Sequence, residues 1–220
     1  MIGLLGGLGV GAAIHYYREL AAAHDRVGRT MNLVMVHASV THVAEYAAKG
    51  DRMGLATYLS GFVEQLQAAG ATFAVLPALT PHLGITELQS MAPIPVMDLT
   101  QLVADHVKAR GLVKVALFGT RYVVESNMYG RLENAVRPQA AEVEFIHTAY
   151  SNLARTGAAP REDREQFVRL AETLRRRDGV DAIILAGTDF AVMFEPETTP
   201  FPHVDCTRVH MDAIMAASVR

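Results

Sequence analysis

Short apolar runs alternate with longer amphipathic stretches along the whole chain. Residues 2–5, 33–36, 73–76, 94–97 and 182–185 are apolar at consecutive positions; 113–118 and 143–146 are apolar but for Lys114 and Glu144, and Val204 with its neighbours completes the set. Strands buried on both faces need that pattern, as parallel strands covered by helices do. Between them, residues 11–23, 53–69, 101–110, 122–136, 161–177 and 209–217 read as helices. Over 53–69 the set Leu55, Leu59, Phe62, Val63 and Leu66 keeps helical spacing. Gly70 and Gly111 stand where helices end. Strand and helix alternate to the end of the chain, which predicts an α/β fold with right-handed crossovers.

Eight strands could close a barrel, but 220 residues is at the low end for one. An internal echo favours two lobes. Phe73-Ala74-Val75-Leu76-Pro77-Ala78-Leu79-Thr80 resembles Ala182-Ile183-Ile184-Leu185-Ala186-Gly187-Thr188-Asp189. Ile94-Pro95-Val96-Met97-Asp98 resembles Phe201-Pro202-His203-Val204-Asp205, and Leu4-Leu5-Gly6-Gly7 resembles Leu117-Phe118-Gly119-Thr120. Three echoes in one order predict a duplicated unit. Each lobe is expected to be a four-stranded parallel sheet flanked by helices, related by a pseudo-two-fold axis, with a cleft between them. Residues 1–98 and 208–220 form the first expected lobe and 99–207 the second. Ligands bind at the carboxyl ends of such strands.

Composition narrows the function. Net charge is −3 and no long basic run exists, so nucleic acid is not an expected partner. Arg175-Arg176-Arg177 closes a predicted helix, where cations suit the dipole. Cys206 is the one cysteine, which excludes an intramolecular disulfide and fits a reducing compartment. Met1 leads into the first apolar run without a secretion signal, and no run approaches the ~20 residues that cross a bilayer. A cytoplasmic protein without membrane partners is expected.

The strand-end segments resemble the aspartate/glutamate racemase family. Gly3-Leu4-Leu5-Gly6-Gly7-Leu8-Gly9 is similar to its opening Gly-Ile-Leu-Gly-Gly-Met-Gly-Pro. Pro77-Ala78-Leu79-Thr80-Pro81-His82 lines up with its Pro-Cys-Asn-Thr-Ala-His, and Leu185-Ala186-Gly187-Thr188-Asp189 with its Leu-Gly-Cys-Thr-Glu. Gly119-Thr120-Arg121 and Asp205-Cys206-Thr207-Arg208-Val209-His210 resemble its Gly-Thr-Lys/Arg and Asp-Thr-Thr-x-x-His. The resemblance covers the chain in order. It implies a small carboxylate or amino-acid ligand, no cofactor, often a homodimer, and two thiols that exchange the α-proton on opposite faces.

Here Ala78 and Gly187 stand at the two thiol positions, and neither side chain carries a proton. Cys206 lies at a different strand end. His82 and Asp189 match the family's His and Glu, and are the best remaining proton-transfer pair; both could instead orient loops or cap helices. Thr80 and Thr188, with Leu79, are expected at the ligand carboxylate, as the matching family residues are, or else cap the strand ends. Gly7, Leu8 and Gly9 form either an anion-binding loop or a tight turn. Ser39, Thr120 and Tyr122 share the expected rim or cap helices. Arg155 lies near the family's basic residue for a distal carboxylate, or is a surface arginine. Where the family carries Asp-Arg-Thr, this chain has Val40-Thr41-His42; His42 and His37 are the candidates for the basic place, and the departure speaks against an acidic amino-acid substrate. His203, Cys206 and His210 lack supporting carboxylates, and no metal is expected. Two functions follow: a racemase, isomerase or lyase with a non-thiol mechanism, or an inactive homologue that binds or regulates.

Overall fold

The computed structural model describes residues 1–195 and 197–219. The chain divides into two compact units, Met1–Leu99 with His210–Arg220, and Thr100–Val209.

The first unit contains β1 (Ile2–Gly6), α1 (Val10–Arg26), β2 (Leu33–His37), α2 (Val40–Lys49), α3 (Arg52–Ala68), β3 (Phe73–Val75), a 3-10 turn (Thr80–Gly84) and α4 (Ile85–Met91). All five residues of β1 are buried because the strand is central, parallel to β2 on one side and β3 on the other. Asp51 starts α3 by accepting the Gly54 N–H at 2.8 Å. The helix then buries Leu55, Leu59, Val63 and Leu66 completely. Each such side chain contributes about 1.5–3 kcal/mol on leaving water. On the other face of the sheet, Tyr16 and Leu20 of α1 pack with Ile2, Leu4 and Val75.

The helix α5 (Leu99–Ala109) begins on the last residue of the first unit's Met1–Leu99 stretch and continues into the second unit, which also contains β4 (Val115–Gly119), α6 (Arg121–Glu125), β5 (Ala135–Val136), α7 (Ala140–Thr156), α8 (Arg161–Asp178), β6 (Ala182–Ala186), a 3-10 turn (Thr188–Val192) and β7 (His203–Asp205). Its sheet is parallel in the order β5-β4-β6-β7. Phe118, Phe167, Phe190 and Phe194 fill its core, with Phe118 and Phe167 centroids 5.1 Å apart. The final helix, α9 (Cys206–Ser218), begins after β7. Its later residues Met211 and Ile214 join the α1 cluster of the first unit.

Both units place their second strand at the edge, then their first, then their third. The duplication reaches single hydrogen bonds. Ala74 N–H donates to Pro95 C=O at 2.8 Å, and Ile183 N–H donates to Pro202 C=O at 2.9 Å. These residues occupy equivalent places in the echoed segments.

Three expected elements are corrected. Residues 94–97 make a single parallel bridge, Ala74 to Val96, so the first sheet has three strands rather than four. Pro93 and Pro95 remove two donors from that segment, which shortens it. Residues 143–146 belong to α7, not to a strand. A capping box between Gln139 and Glu142 starts that helix, and Val143, Ile146, Ala149, Tyr150 and Leu153 form its buried face. The expected helix over 122–136 stops after Glu125. Asn127, Met128 and Tyr129 take left-handed conformations, with φ of 50°, 54° and 57°. Ser126 Oγ accepts the Tyr129 N–H at 2.9 Å, which supports that turn. The strand lies further on, at β5.

Candidate functional site

In the first unit, the chain leaves β1 at Gly7, where φ is +82° and a Cβ would sit 2.8 Å from His37 Nε2. Only glycine fits that turn. Gly9 precedes α1 with extended backbone. Leu8, Ala38 and Ala78, one from each strand end, share an apolar cluster. Gly7, His37, Ser39, His42, Tyr58 and Phe62 line a cavity of about 510 Å³. Ser39 precedes α2, and its N–H donates to the Tyr58 hydroxyl at 2.8 Å. His42 meets the Tyr58 ring edge-on at 5.4 Å. His37 and His42, the two expected replacements for the missing basic residue, therefore share one depression.

Ala78 follows β3, and Leu79 and Thr80 open the 3-10 turn. His82 lies within that turn and is completely buried. Leu99 N–H donates to His82 Nε2 at 3.1 Å, which makes Nε2 the acceptor. Nδ1 then carries the hydrogen and donates it to Ala78 C=O at 2.9 Å. Both ring nitrogens are thus engaged with backbone, and His82 fastens the residue-78 turn to the start of α5. His210 is also buried, with Nδ1 3.0 Å from the Tyr16 hydroxyl and, among the described residues, no hydrogen-bond partner at Nε2. Burial, and to a lesser degree the nearby His82, push His210 down to about 3, against a smaller opposing effect of Asp98.

In the second unit, Gly187, Thr188 and Asp189 follow β6 and are all buried. Thr188 C=O accepts from the Thr207 hydroxyl at 3.3 Å, joining the ends of β6 and β7. Asp189 Oδ2 accepts from the Tyr150 hydroxyl at 3.2 Å. The Tyr150 ring lies 4.8 Å from the Phe190 ring. A Cβ on Gly187 would lie 2.7 Å from the Tyr150 hydroxyl oxygen and closer still to its ring. Burial is the main force holding the Tyr150 phenol protonated, and the Asp189 charge adds to it. Burial likewise raises the Cys206 thiol well above its usual range. Cys206 is fully buried, so its setting is that of an inert packing thiol.

Thr120 precedes α6, whose second residue is Tyr122; the Tyr122 ring is edge-on to His147 at 6.3 Å. Arg155 is exposed in the last turn of α7 and donates to Asn152 Oδ1 at 3.3 Å. Among the described residues, no group of three His, Cys, Asp or Glu is arranged to hold a metal ion. None of their helices is long and apolar enough to cross a membrane.

The model of one protein family, Asp/Glu/hydantoin racemase, matches residues 5–214. The chain belongs to that family. Solved structures share the racemase fold. One from Yersinia pestis, assigned to the Asp/Glu racemases, is 24% identical with a TM-score of 0.84, covering 100% of this chain and 99% of that one. An aspartate racemase homologue from Pyrococcus horikoshii is 21% identical with a TM-score of 0.79, over 100% and 99% of the two chains. Glutamate racemase from Francisella tularensis, solved with D-glutamate, is 14% identical with a TM-score of 0.65, over 98% and 80%.

Against the racemase pattern, the geometry adds two residues that the sequence did not single out, Tyr150 and Tyr58. Tyr150 lay beside a run read as a strand, so its helical face was hidden. The signal that could have found it was the spacing Val143, Ile146, Tyr150, Leu153, which is helical.

Proposed function

We propose that this racemase-family protein holds a small carboxylate or amino acid at its strand ends and moves a proton on it without a thiol pair or a cofactor. The carrying observation is the chemistry of the strand ends. Gly187 has no room for a side chain, and the space beside it is filled by a phenol hydrogen-bonded to Asp189. A buried proton-bearing pair at that place favours an isomerase or lyase over an inert scaffold. Because both His82 nitrogens serve the backbone, proton transfer falls to Asp189 and its partner. Within the second unit, Thr188 beside that pair would receive the carboxylate. Within the first unit, Thr80 and the Gly7–Gly9 loop, with His37 and His42, offer polar groups of their own. The neighbour solved with D-glutamate supports an amino acid as the first ligand to try.

The test is hydrogen exchange at the α-carbon in deuterated water, run with a panel of amino acids and small diacids, beside thermal-shift binding. Exchange on a bound acid supports the reading. Folded protein that neither binds nor exchanges any of them contradicts it.

A second reading is a ligand-binding protein without turnover. The buried Cys206 and the engaged His82 favour it, because both leave fewer groups for chemistry. A ligand that raises the melting temperature and is recovered without deuterium would select it. The protein is proposed to act in the cytoplasm as a homodimer. Exposed Val10, Ile14 and Tyr17, at helical spacing on α1, support the dimer.

A further inference from the structure

The Tyr150 ring and a side chain at position 187 cannot coexist, since the Gly187 Cβ position lies 2.7 Å from the Tyr150 hydroxyl oxygen and closer to the ring. The hydroxyl therefore stands where the atoms of a residue-187 side chain would stand. It is fixed there from two directions: Asp189 Oδ2 accepts its proton at 3.2 Å, and Phe190 backs the ring at 4.8 Å. Tyr150 itself keeps 7% of its surface exposed. Its helix is well founded, with a capping box at the start and Leu153 buried one turn further on. The position of the hydroxyl is thus set by a rigid element and not by a loop.

We propose that the Tyr150 hydroxyl is the proton donor of the second unit, a phenol in the room of the absent thiol, positioned by Asp189. The assignment rests on the proton-transfer reading above. In the step, the α-C–H bond of the ligand breaks, its proton passing to the Asp189 carboxylate and its electron pair staying on carbon. The Tyr150 O–H bond then breaks and its proton bonds to that carbon, whose electron pair becomes the new C–H bond. The phenolate left behind regains a proton from the Asp189 carboxyl across the hydrogen bond they share. Burial and the Asp189 charge disfavour the phenolate, so the group rests protonated and enters the step as the donor.

The experiment compares the full-length protein with Tyr150→Phe, which keeps the ring and its packing. Each is incubated in deuterated water with aspartate, glutamate, succinate and glutarate, and α-carbon deuterium and ligand-induced melting shifts are both read. The expected result is a loss of at least about 100-fold in exchange with the binding shift retained, in line with removal of a general acid. A fluorinated tyrosine at position 150, which has a more acidic phenol, should move the alkaline limb of the exchange profile to lower pH. A purely structural role would leave that limb in place. Exchange at the wild-type rate in Tyr150→Phe would overturn the assignment. Wild-type binding without exchange overturns the donor and leaves the ligand site standing. Absence of both overturns the proposed function and the donor with it. If Tyr150→Phe does not fold, the fluorinated protein decides: an unmoved alkaline limb overturns the proposal.

Discussion

Tyr150 and Gly187 are mutually exclusive occupants of one space: the phenol oxygen lies 2.7 Å from where a Gly187 Cβ would be. Restoring a cysteine at position 187 therefore collides with a buried ring. Gly187→Cys is expected to cost about 1–3 kcal/mol by overpacking. Adding Tyr150→Ala frees the room, so the two changes should be non-additive by about 1–3 kcal/mol in a double-mutant cycle. Urea denaturation of the four proteins measures it; strict additivity would contradict the packing.

His82 is expected to act on stability more than on chemistry. His82→Ala leaves Ala78 C=O and Leu99 N–H without their partner in a buried place. Each orphaned group costs about 1–3 kcal/mol, so the loss should reach about 2–6 kcal/mol. Chemical denaturation is the check, and a loss under 1 kcal/mol would contradict the assigned role.

Acid should weaken the fold through His210. Its folded value is depressed to about 3 from an ordinary value near 6.5. Between those values the unfolded chain binds a proton that the native protein does not, so stability is full above pH 6.5 and falls as pH drops. The loss should be on the order of 3 kcal/mol by pH 4. His210→Phe, which cannot titrate, should flatten that part of the pH–stability curve. The same slope in the variant would contradict the account.

The proposed homodimer is expected to use the α1 stripe. Val10, Ile14 and Tyr17 are 58%, 55% and 48% exposed, and β2 beside them is an edge strand. Ile14→Glu should shift sedimentation from dimer to monomer without changing far-UV circular dichroism. A wild-type monomer, or an unaffected dimer, would contradict the placement.

Most of the strands and long helices were legible because buried parallel strands are apolar throughout. The echoes also carried the topology, down to the matched bonds at Pro95 and Pro202. The errors share a cause. Residues 143–146 are three apolar residues around Glu144, and so short a run does not separate strand from helix. The left-handed turn at Asn127, Met128 and Tyr129 has no glycine until Gly130, so nothing local marked the end of α6. At the site, Ala78 and Gly187 were legible as the residues that line up with the cysteines of the family pattern. What fills the Gly187 space was not, because Tyr150 is 37 residues away in sequence and reaches it only through the packing of α7.

The central claim is proton chemistry without a thiol, and a cysteine-free protein tests it most directly. Cys206→Ala removes the chain's one sulfhydryl from a buried site. In deuterated water, with the acid that the wild type exchanges, the variant is predicted to incorporate deuterium at the α-carbon at the wild-type rate. Loss of exchange in a variant that stays folded and still binds the acid would contradict the account.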